Sequence, residues 1–152
     1  MAESQQASFN VRKIYVKDLS FETSYSSQMF VEAWNDWHPD VDLQLGSRAV
    51  LIKDNLHEIV LEMTVTAKLK DELTILVEMQ LAGIFEILVP DQARQAAVMG
   101  GPCLQALFPF AREVVSDLVT RGGFPQLLLA PVNFNALYRQ HLEEVNSEKT
   151  KT

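Results

Sequence analysis

The residues in this sequence with the greatest potential for chemistry are one cysteine, Cys103, and three histidines. His38, His57 and His141 lie in a predicted loop, strand and helix, without the spacing at which metal ligands usually occur. A metal site needs three or four converging ligands, so none is predicted. A nucleophilic pair of Cys103 and His141 would require the fold to bring them together. We therefore interpret Cys103 as a small buried apolar residue at the start of a helix, and we predict neither an enzyme nor a cofactor.

The composition narrows the class of protein. Its 152 residues fit about one domain. The 13 Lys and Arg against 20 Asp and Glu give a net charge of −7. This balance argues against nucleic-acid binding and against docking on anionic lipid, because both need cationic side chains. No run of 18 apolar residues and no targeting segment are visible, so we expect a cytoplasmic protein that does not insert into a membrane.

Alternating apolar and polar residues predict four strands in the first half of the chain. The pattern is clearest in residues 56–69, where apolar side chains share one face and charged or hydroxyl side chains share the other. Such a strand is typical of an antiparallel sheet with one face in the core. Similar alternation covers residues 9–22, 41–53 and 73–87. Lys13 and Lys17 interrupt the apolar face of the first strand, and Gly83 is interpreted as a possible bulge in the last.

The second half has the periodicity of helices. Residues 91–99 predict a short helix that ends at a pair of glycines, and a longer helix ends at a second pair, Gly122 and Gly123. Pro109 is expected to kink this longer helix unless it lies in the first turn. Asn133 is a candidate N-cap for a final helix. The glycine pairs lack the surroundings of a phosphate-binding loop, and we interpret them as helix ends.

Four strands followed by helices predict an α+β fold with a four-stranded antiparallel sheet and two main C-terminal helices. Residues 9–145 are expected to form one domain. The polar segments at residues 1–8 and 146–152 have little to bury and are predicted to be disordered tails.

The chain contains more apolar side chains than one small sheet can bury. The crossover at residues 23–40 includes Tyr25, Trp34 and Trp37, and the loop at residues 124–132 is also apolar. These segments could cover the core, build an interface or line a groove. A symmetric oligomer would bury the surplus. We predict its interface on an apolar stripe of the long helix, formed by Leu107, Phe110, Ala111, Val114 and Leu118.

Four segments of the sequence, residues 14–22, 107–113, 121–127 and 129–134, carry a specific resemblance. They are similar to SecB, the bacterial protein-export chaperone family, and the likeness spans about residues 9–142. The resemblance implies a homotetramer, assembled as a dimer of dimers. It also implies an ATP-independent holdase that binds unfolded precursor proteins and delivers them to the motor ATPase SecA.

The resemblance implies two binding surfaces. The family's acidic docking surface for SecA falls on Asp18, Glu22, Leu76 and Glu78. The alternation of residues independently places these side chains on faces that point away from the core. The groove for unfolded chains falls on residues of the crossover, the second strand and the last helix, namely Trp37, Val41, Leu43, Leu45, Phe134 and Leu137.

Departures from the family pattern keep other functions open. Residues 23–27 lack the two prolines that family members usually carry after the Ser-Phe-Glu string. A SecB-like chaperone dedicated to a single partner, such as an antitoxin, is one alternative. A non-chaperone oligomeric binding or scaffold protein is another.

Overall fold

The computed structural model describes residues 9–32 and 37–150. The predicted tail at residues 1–8 and Trp34 lie outside the described residues. Within them the chain forms β1 (Phe9–Thr23), α1 (Ser27–Glu32), β2 (Asp40–Lys53), β3 (Leu56–Leu69), β4 (Glu72–Ile87), α2 (Gln92–Gly100), α3 (Pro102–Arg121) and α4 (Phe134–Thr150). The strands make one antiparallel sheet in the order β1-β4-β3-β2, which confirms the predicted α+β fold.

Strands β2, β3 and β4 form a meander joined by tight turns. Asp54 begins the first turn with a φ of 53°, and Lys70 and Asp71 form the second with φ values of 52° and 68°. Two successive positive φ values match a type I′ turn, whose twist suits an antiparallel hairpin. These short connections fix the register of three strands.

Strand β1 pairs with β4 and contains the irregularities of the sheet. Its register shifts between Val11 and Lys13 and again between Val16 and Asp18. Each extra residue reverses the alternation, so neither lysine falls on the apolar face that simple alternation assigned to it. Gly83 pairs regularly with β1 and β3, so the bulge proposed there is wrong. A Cβ at Gly83 would lie 3.1 Å from Leu107 Cδ2, which shows that the glycine admits α3 close to the sheet.

The core lies between one face of the sheet, called the inner face, and α3. Its strand residues are Ile59, Leu61, Met63, Val65 and Ala67 on β3, and Ile75, Val77, Met79, Leu81, Phe85 and Ile87 on β4. The buried residues of α3 are Cys103, Leu104, Leu107, Phe108, Ala111, Val115, Ser116 and Val119. Pro109 is exposed inside this helix rather than in its first turn.

The burial of α3 corrects part of the predicted oligomer interface. Leu107 and Ala111 are fully buried against the sheet of their own chain, so they cannot contact another copy. Phe110 is 52% exposed, and Val114 and Leu118 are partly exposed. The predicted stripe combined two neighbouring faces of the helix, because both are apolar and the sequence alone does not separate them.

Helix α4 packs on α2 and α3. It continues to Thr150, past residue 145, where the domain was expected to end. The helical run of residues 146–150 therefore differs from the predicted disordered tail.

The crossover between β1 and β2 folds onto the core through aromatic rings. Tyr25, Phe30 and Trp37 surround Phe124, which begins the apolar loop after α3. The ring centroids of Trp37 and Phe124 are 5.0 Å apart, and those of Tyr25 and Phe124 are 5.3 Å apart. These four rings therefore cover the core, whereas Val31 on α1 and Leu128 in the loop after α3 are exposed.

Candidate functional site

The outer face of the sheet, opposite α3, brings the four predicted docking residues together. In the β1–β4 ladder Glu22 pairs with Leu76, and Glu78 pairs with Ser20, which lies between Asp18 and Glu22 in sequence. Paired residues on neighbouring strands project from the same face of a sheet. Asp18, Glu22, Leu76 and Glu78 therefore form one continuous patch, hereafter the docking surface.

The docking surface is negatively charged. Asp18, Glu22 and Glu78 are exposed, and none of them forms an ion pair with another residue in the described part of the chain. Three neighbouring carboxylates without counter-ions create a negative potential that attracts a basic segment. The geometry and the charge fit an electrostatic contact.

Ion pairs neutralise the part of the outer face that borders the docking surface. Arg12 pairs with Glu86 at 2.9 Å, Lys17 with Glu58 at 2.9 Å, and Arg48 Nη1 with Glu62 Oε1 at 2.8 Å; Arg48 Nη2 also donates to Gln80 at 3.2 Å. The Arg48–Glu62 pair lies in the same cross-strand row as Gln80 and Asp18, so the neutralised region directly borders the docking surface.

Tyr15 adds a hydrogen bond to this neutralised region. Its phenol donates to Glu58, and Tyr15 pairs with the buried Ala82, which in turn pairs with the buried Val60 on the outer face. Burial and the neighbouring carboxylate raise the pKa of Tyr15 to about 12. The bond from Tyr15, followed by the bond from Lys17, lowers the pKa of the Glu58 carboxyl below its ordinary value.

A cleft of about 540 Å³ separates β2 from α4. Three of the six predicted groove residues, Leu45, Phe134 and Leu137, line it. The cleft is also lined by Gly46, Ser47, Gly100, Leu104, Tyr138 and His141. Leu137 is 44% exposed, so the wall formed by α4 offers apolar surface to solvent. Hereafter this cleft is the groove.

The other three predicted groove residues lie outside this cleft. Val41 and Leu43 point from the same face of β2 as Leu45, nearer the start of the strand. Val41 is exposed, whereas Leu43 is partly buried against the core. Trp37 lies in the aromatic cluster around Phe124 and is also partly buried.

The groove wall on α4 begins at a well-defined N-terminus. Asn133 caps the helix, because its Oδ1 accepts a hydrogen bond from Ala136 N at 3.1 Å. Gln105 on α3 supplies a second acceptor, and its Oε1 lies 3.2 Å from Phe134 N. The Asn133 cap was predicted from the sequence. The bond from Gln105 was not, because nothing in the local pattern links a residue of α3 to the start of α4.

The buried position of Cys103 decides against a role as nucleophile. The residue is fully buried in α3, and desolvation raises the pKa of its thiol to about 12. A thiol with this pKa is almost entirely protonated near neutral pH, and the thiolate is the reactive form. Among residues 9–32 and 37–150, no three His, Cys, Asp or Glu side chains lie close enough to hold a metal ion.

None of the helices in the described part of the chain is long and apolar enough to cross a membrane.

Comparison with known proteins places the chain among bacterial export proteins. A family model described as preprotein translocase subunit SecB matches residues 2–145. The protein-export protein SecB of Nitrosococcus oceani is 51% identical over 145 residues, covering 95% of this chain and 88% of the relative. That of Pseudomonas fluorescens is 44% identical over 151 residues, covering 99% and 93%.

A solved structure shares the fold. The SecB-like chaperone of Mycobacterium tuberculosis, in complex with a peptide from an antitoxin, aligns with a TM-score of 0.66 over 85% of this chain and 94% of that one. The two sequences are 16% identical, so this likeness concerns the fold alone.

An antiparallel sheet backed by a long helix, together with close relatives named for protein export, defines the class as an α+β export chaperone. The chain belongs to the SecB family.

Proposed function

We propose that this export chaperone holds unfolded precursor polypeptides in the groove and delivers them to SecA through the docking surface. Membership of the SecB family supports binding of precursor proteins. The observation that carries the proposal is the separation of two chemically different surfaces on one sheet. The groove adjoins β2, the docking surface lies on β1 and β4, and β3 runs between them. A client and a motor can therefore bind at the same time.

Holding of a client rests on the apolar walls of the groove. Leu45 on β2 faces Leu137 on α4 across the cleft, and both offer apolar surface to an extended chain. A groove that binds only the unfolded form shifts the folding equilibrium of the client by mass action. This action needs no nucleotide, so the energy for transport comes from the motor.

Delivery rests on charge. The exposed carboxylates of Asp18, Glu22 and Glu78 suit a basic segment of SecA, and Leu76, which pairs with Glu22 at one end of the patch, adds apolar contact. We place the chaperone in the cytoplasm, where newly made precursors meet the motor. We also propose a tetramer, a dimer of dimers, in which the exposed Phe110 and the partly exposed Val114 and Leu118 contact another copy.

A refolding experiment tests the holding activity. A precursor is diluted from urea with and without the chaperone, and recovery of its native fluorescence is followed. We expect the wild-type protein to slow refolding at equimolar concentration. Leu137→Asp should abolish the effect, whereas Leu142→Asp should retain it. Both leucines are similarly exposed on α4, but only Leu137 lines the groove. Unchanged refolding with the wild-type protein contradicts the proposal.

A chaperone dedicated to one partner, such as an antitoxin, is the alternative within the same family. Purification from cells separates the two functions. A general export chaperone copurifies with many precursors, whereas a dedicated chaperone copurifies with one folded or partly folded protein. An oligomeric scaffold would bind neither kind of client in an unfolded state.

A further inference from the structure

Helix α4, which forms one wall of the groove, is attached to the body of the protein mainly through its first two turns. Phe134 is buried and its ring lies 5.6 Å from the ring of Phe108. From residue 139 to residue 144 every side chain of α4 is exposed. The position of the groove wall therefore depends on the contacts made by the beginning of the helix.

The glycine pair between α2 and α3 lies directly against the beginning of α4. A Cβ at Gly100 would lie 2.5 Å from Cδ2 and 2.9 Å from Cε2 of Tyr138. A Cβ at Gly101 would collide with Oδ1 of Asn135. Real Cβ atoms do not approach other heavy atoms so closely. Asn135 Oδ1 is the end of an exposed side chain that can turn away, whereas the ring of Tyr138 is half-buried, so the place of α4 depends chiefly on the missing side chain at Gly100.

Gln105 fixes the same helix end through a hydrogen bond. The first N–H groups of a helix have no partner within the helix, and Phe134 N is one of them. Gln105 Oε1 accepts this N–H from the neighbouring helix. Asn133 satisfies Ala136 N, so two donors of the first turn have side-chain acceptors from different parts of the chain.

We infer that Gly100 and Gln105 are positioning residues that set the place of α4 and hence the width of the groove. The inference rests on the proposed function of the groove in holding clients. A side chain at position 100 must push away either the ring of Tyr138, which itself lines the groove, or the whole helix. Loss of the acceptor at position 105 releases the start of α4. Ordering a loosened wall on each binding event costs conformational entropy and weakens client affinity.

The experiment measures the affinity for reduced, carboxymethylated α-lactalbumin, a polypeptide that stays unfolded in native buffer. We expect Gly100→Ala to weaken binding about three- to tenfold, a change of the size expected from one or two lost local contacts. Gln140→Ala is the control, because Gln140 is an exposed residue of α4 that does not line the groove. The control should bind as the wild type does.

A second set of variants tests the hydrogen bond and does not depend on the glycines. Gln105→Leu removes the acceptor and should weaken client binding about two- to tenfold. It should also speed hydrogen exchange at the Phe134 amide. Gln105→Glu keeps an acceptor oxygen and adds a negative charge at a helix N-terminus, so it should restore both properties. Binding of a basic peptide to the docking surface should stay unchanged in all variants.

The outcomes separate the inference from the proposed function. If the wild-type protein does not bind the unfolded polypeptide, the proposed function is wrong. If the wild type binds and the folded Gly100→Ala and Gln105→Leu variants bind equally well, the positioning role is wrong. If Gly100→Ala fails to fold, the comparison of the leucine and glutamate variants at position 105 decides alone.

Discussion

Glu22 and Leu76 face each other across the β1–β4 ladder, so a carboxylate and an apolar side chain lie side by side on the outer face of the sheet. The two residues are 54 positions apart in sequence, and only the pairing of the first strand with the fourth brings them together. Glu78 lies on the same face, two residues along β4 from Leu76.

The first prediction concerns this docking surface. Glu78→Lys should prevent binding of the C-terminal tail of SecA and leave client holding intact, because it reverses one of three neighbouring charges. Binding to the wild type should weaken as salt rises, since exposed charges are screened over about 8–10 Å at physiological ionic strength. Isothermal titration at two salt concentrations measures both effects. Glu144→Lys makes the same charge change on the exposed side of α4 and should bind normally. Normal binding by Glu78→Lys shows that the docking site lies elsewhere.

The second prediction concerns assembly. We expect the wild type to be a tetramer of 17.2 kDa chains. Phe110→Asp should produce smaller folded species, because an unpaired charge in an apolar interface is costly. Light scattering combined with size exclusion measures the mass. Val31→Asp replaces another exposed apolar residue, on α1, and should remain tetrameric.

Val115→Asp distinguishes the effect of a charge in the core from the effect of a charge at the proposed interface. Val115 is fully buried inside its own chain, so a charge there should give insoluble protein rather than dimers. A wild-type protein that is a single monomeric species contradicts the proposed tetramer.

The third prediction concerns Trp37. Its ring packs on Phe124 and Tyr25, so Trp37→Ala should lower the free energy of unfolding by about 3 kcal/mol, the low end of the range for removing a large aromatic side chain. Urea denaturation measures the loss. Client affinity of the folded variant distinguishes a cover on the core from a groove residue. Unchanged affinity indicates that Trp37 covers the core. Reduced affinity with little loss of stability indicates that Trp37 binds clients as part of the groove.

The fourth prediction concerns the pH dependence of stability at Tyr15. The phenol pKa is raised from 10.0 to about 12, so the folded protein holds this proton more tightly than the unfolded chain. The resulting stabilisation is complete below about pH 10 and is lost as the pH rises towards 12. The pKa of Glu58 is lowered, so its contribution is present above its ordinary pKa and is lost as the pH falls.

Tyr15→Phe tests this prediction. We expect it to lower the free energy of unfolding at pH 7 by about 1 kcal/mol and to flatten the decline between pH 10 and 12. Tyr25→Phe removes a hydroxyl group in the aromatic cluster and should leave that decline unchanged. An identical decline in the Tyr15 variant and the wild type contradicts the assignment.

Most of the fold was predictable because regular alternation and helical periodicity report local structure directly. The errors occurred where the register of a strand shifts and where two neighbouring faces of a helix are both apolar. The bulges in β1 reverse the alternation twice, and a register shift leaves no mark in composition beyond the two misplaced lysines. On α3 both the buried face and its neighbour are apolar, so Leu107 and Phe110 were assigned to one stripe although only Leu107 is buried.

The sequence predicted the docking surface more completely than it predicted the groove. Alternation placed Asp18 with Glu22 and Leu76 with Glu78, and only the pairing of β1 with β4 was missing. The groove depends on how α4 packs against the rest of the chain. Contacts such as those of Gly100 with Tyr138 and of Gln105 with Phe134 join distant segments, so no local pattern reveals them.

The strand order has a consequence for the protein's own synthesis. Phe9 pairs with Ile87 and Thr23 pairs with Ile75, so β1 has no partner until β4 begins to leave the ribosome. The β2–β3 hairpin, in contrast, closes over a short turn and can form before β4 is made. During that interval the apolar side chains of residues 9–23 lack their partners in the sheet. During its own synthesis, the chaperone that we propose to hold unfolded chains therefore exposes a segment of the kind that it binds in its clients.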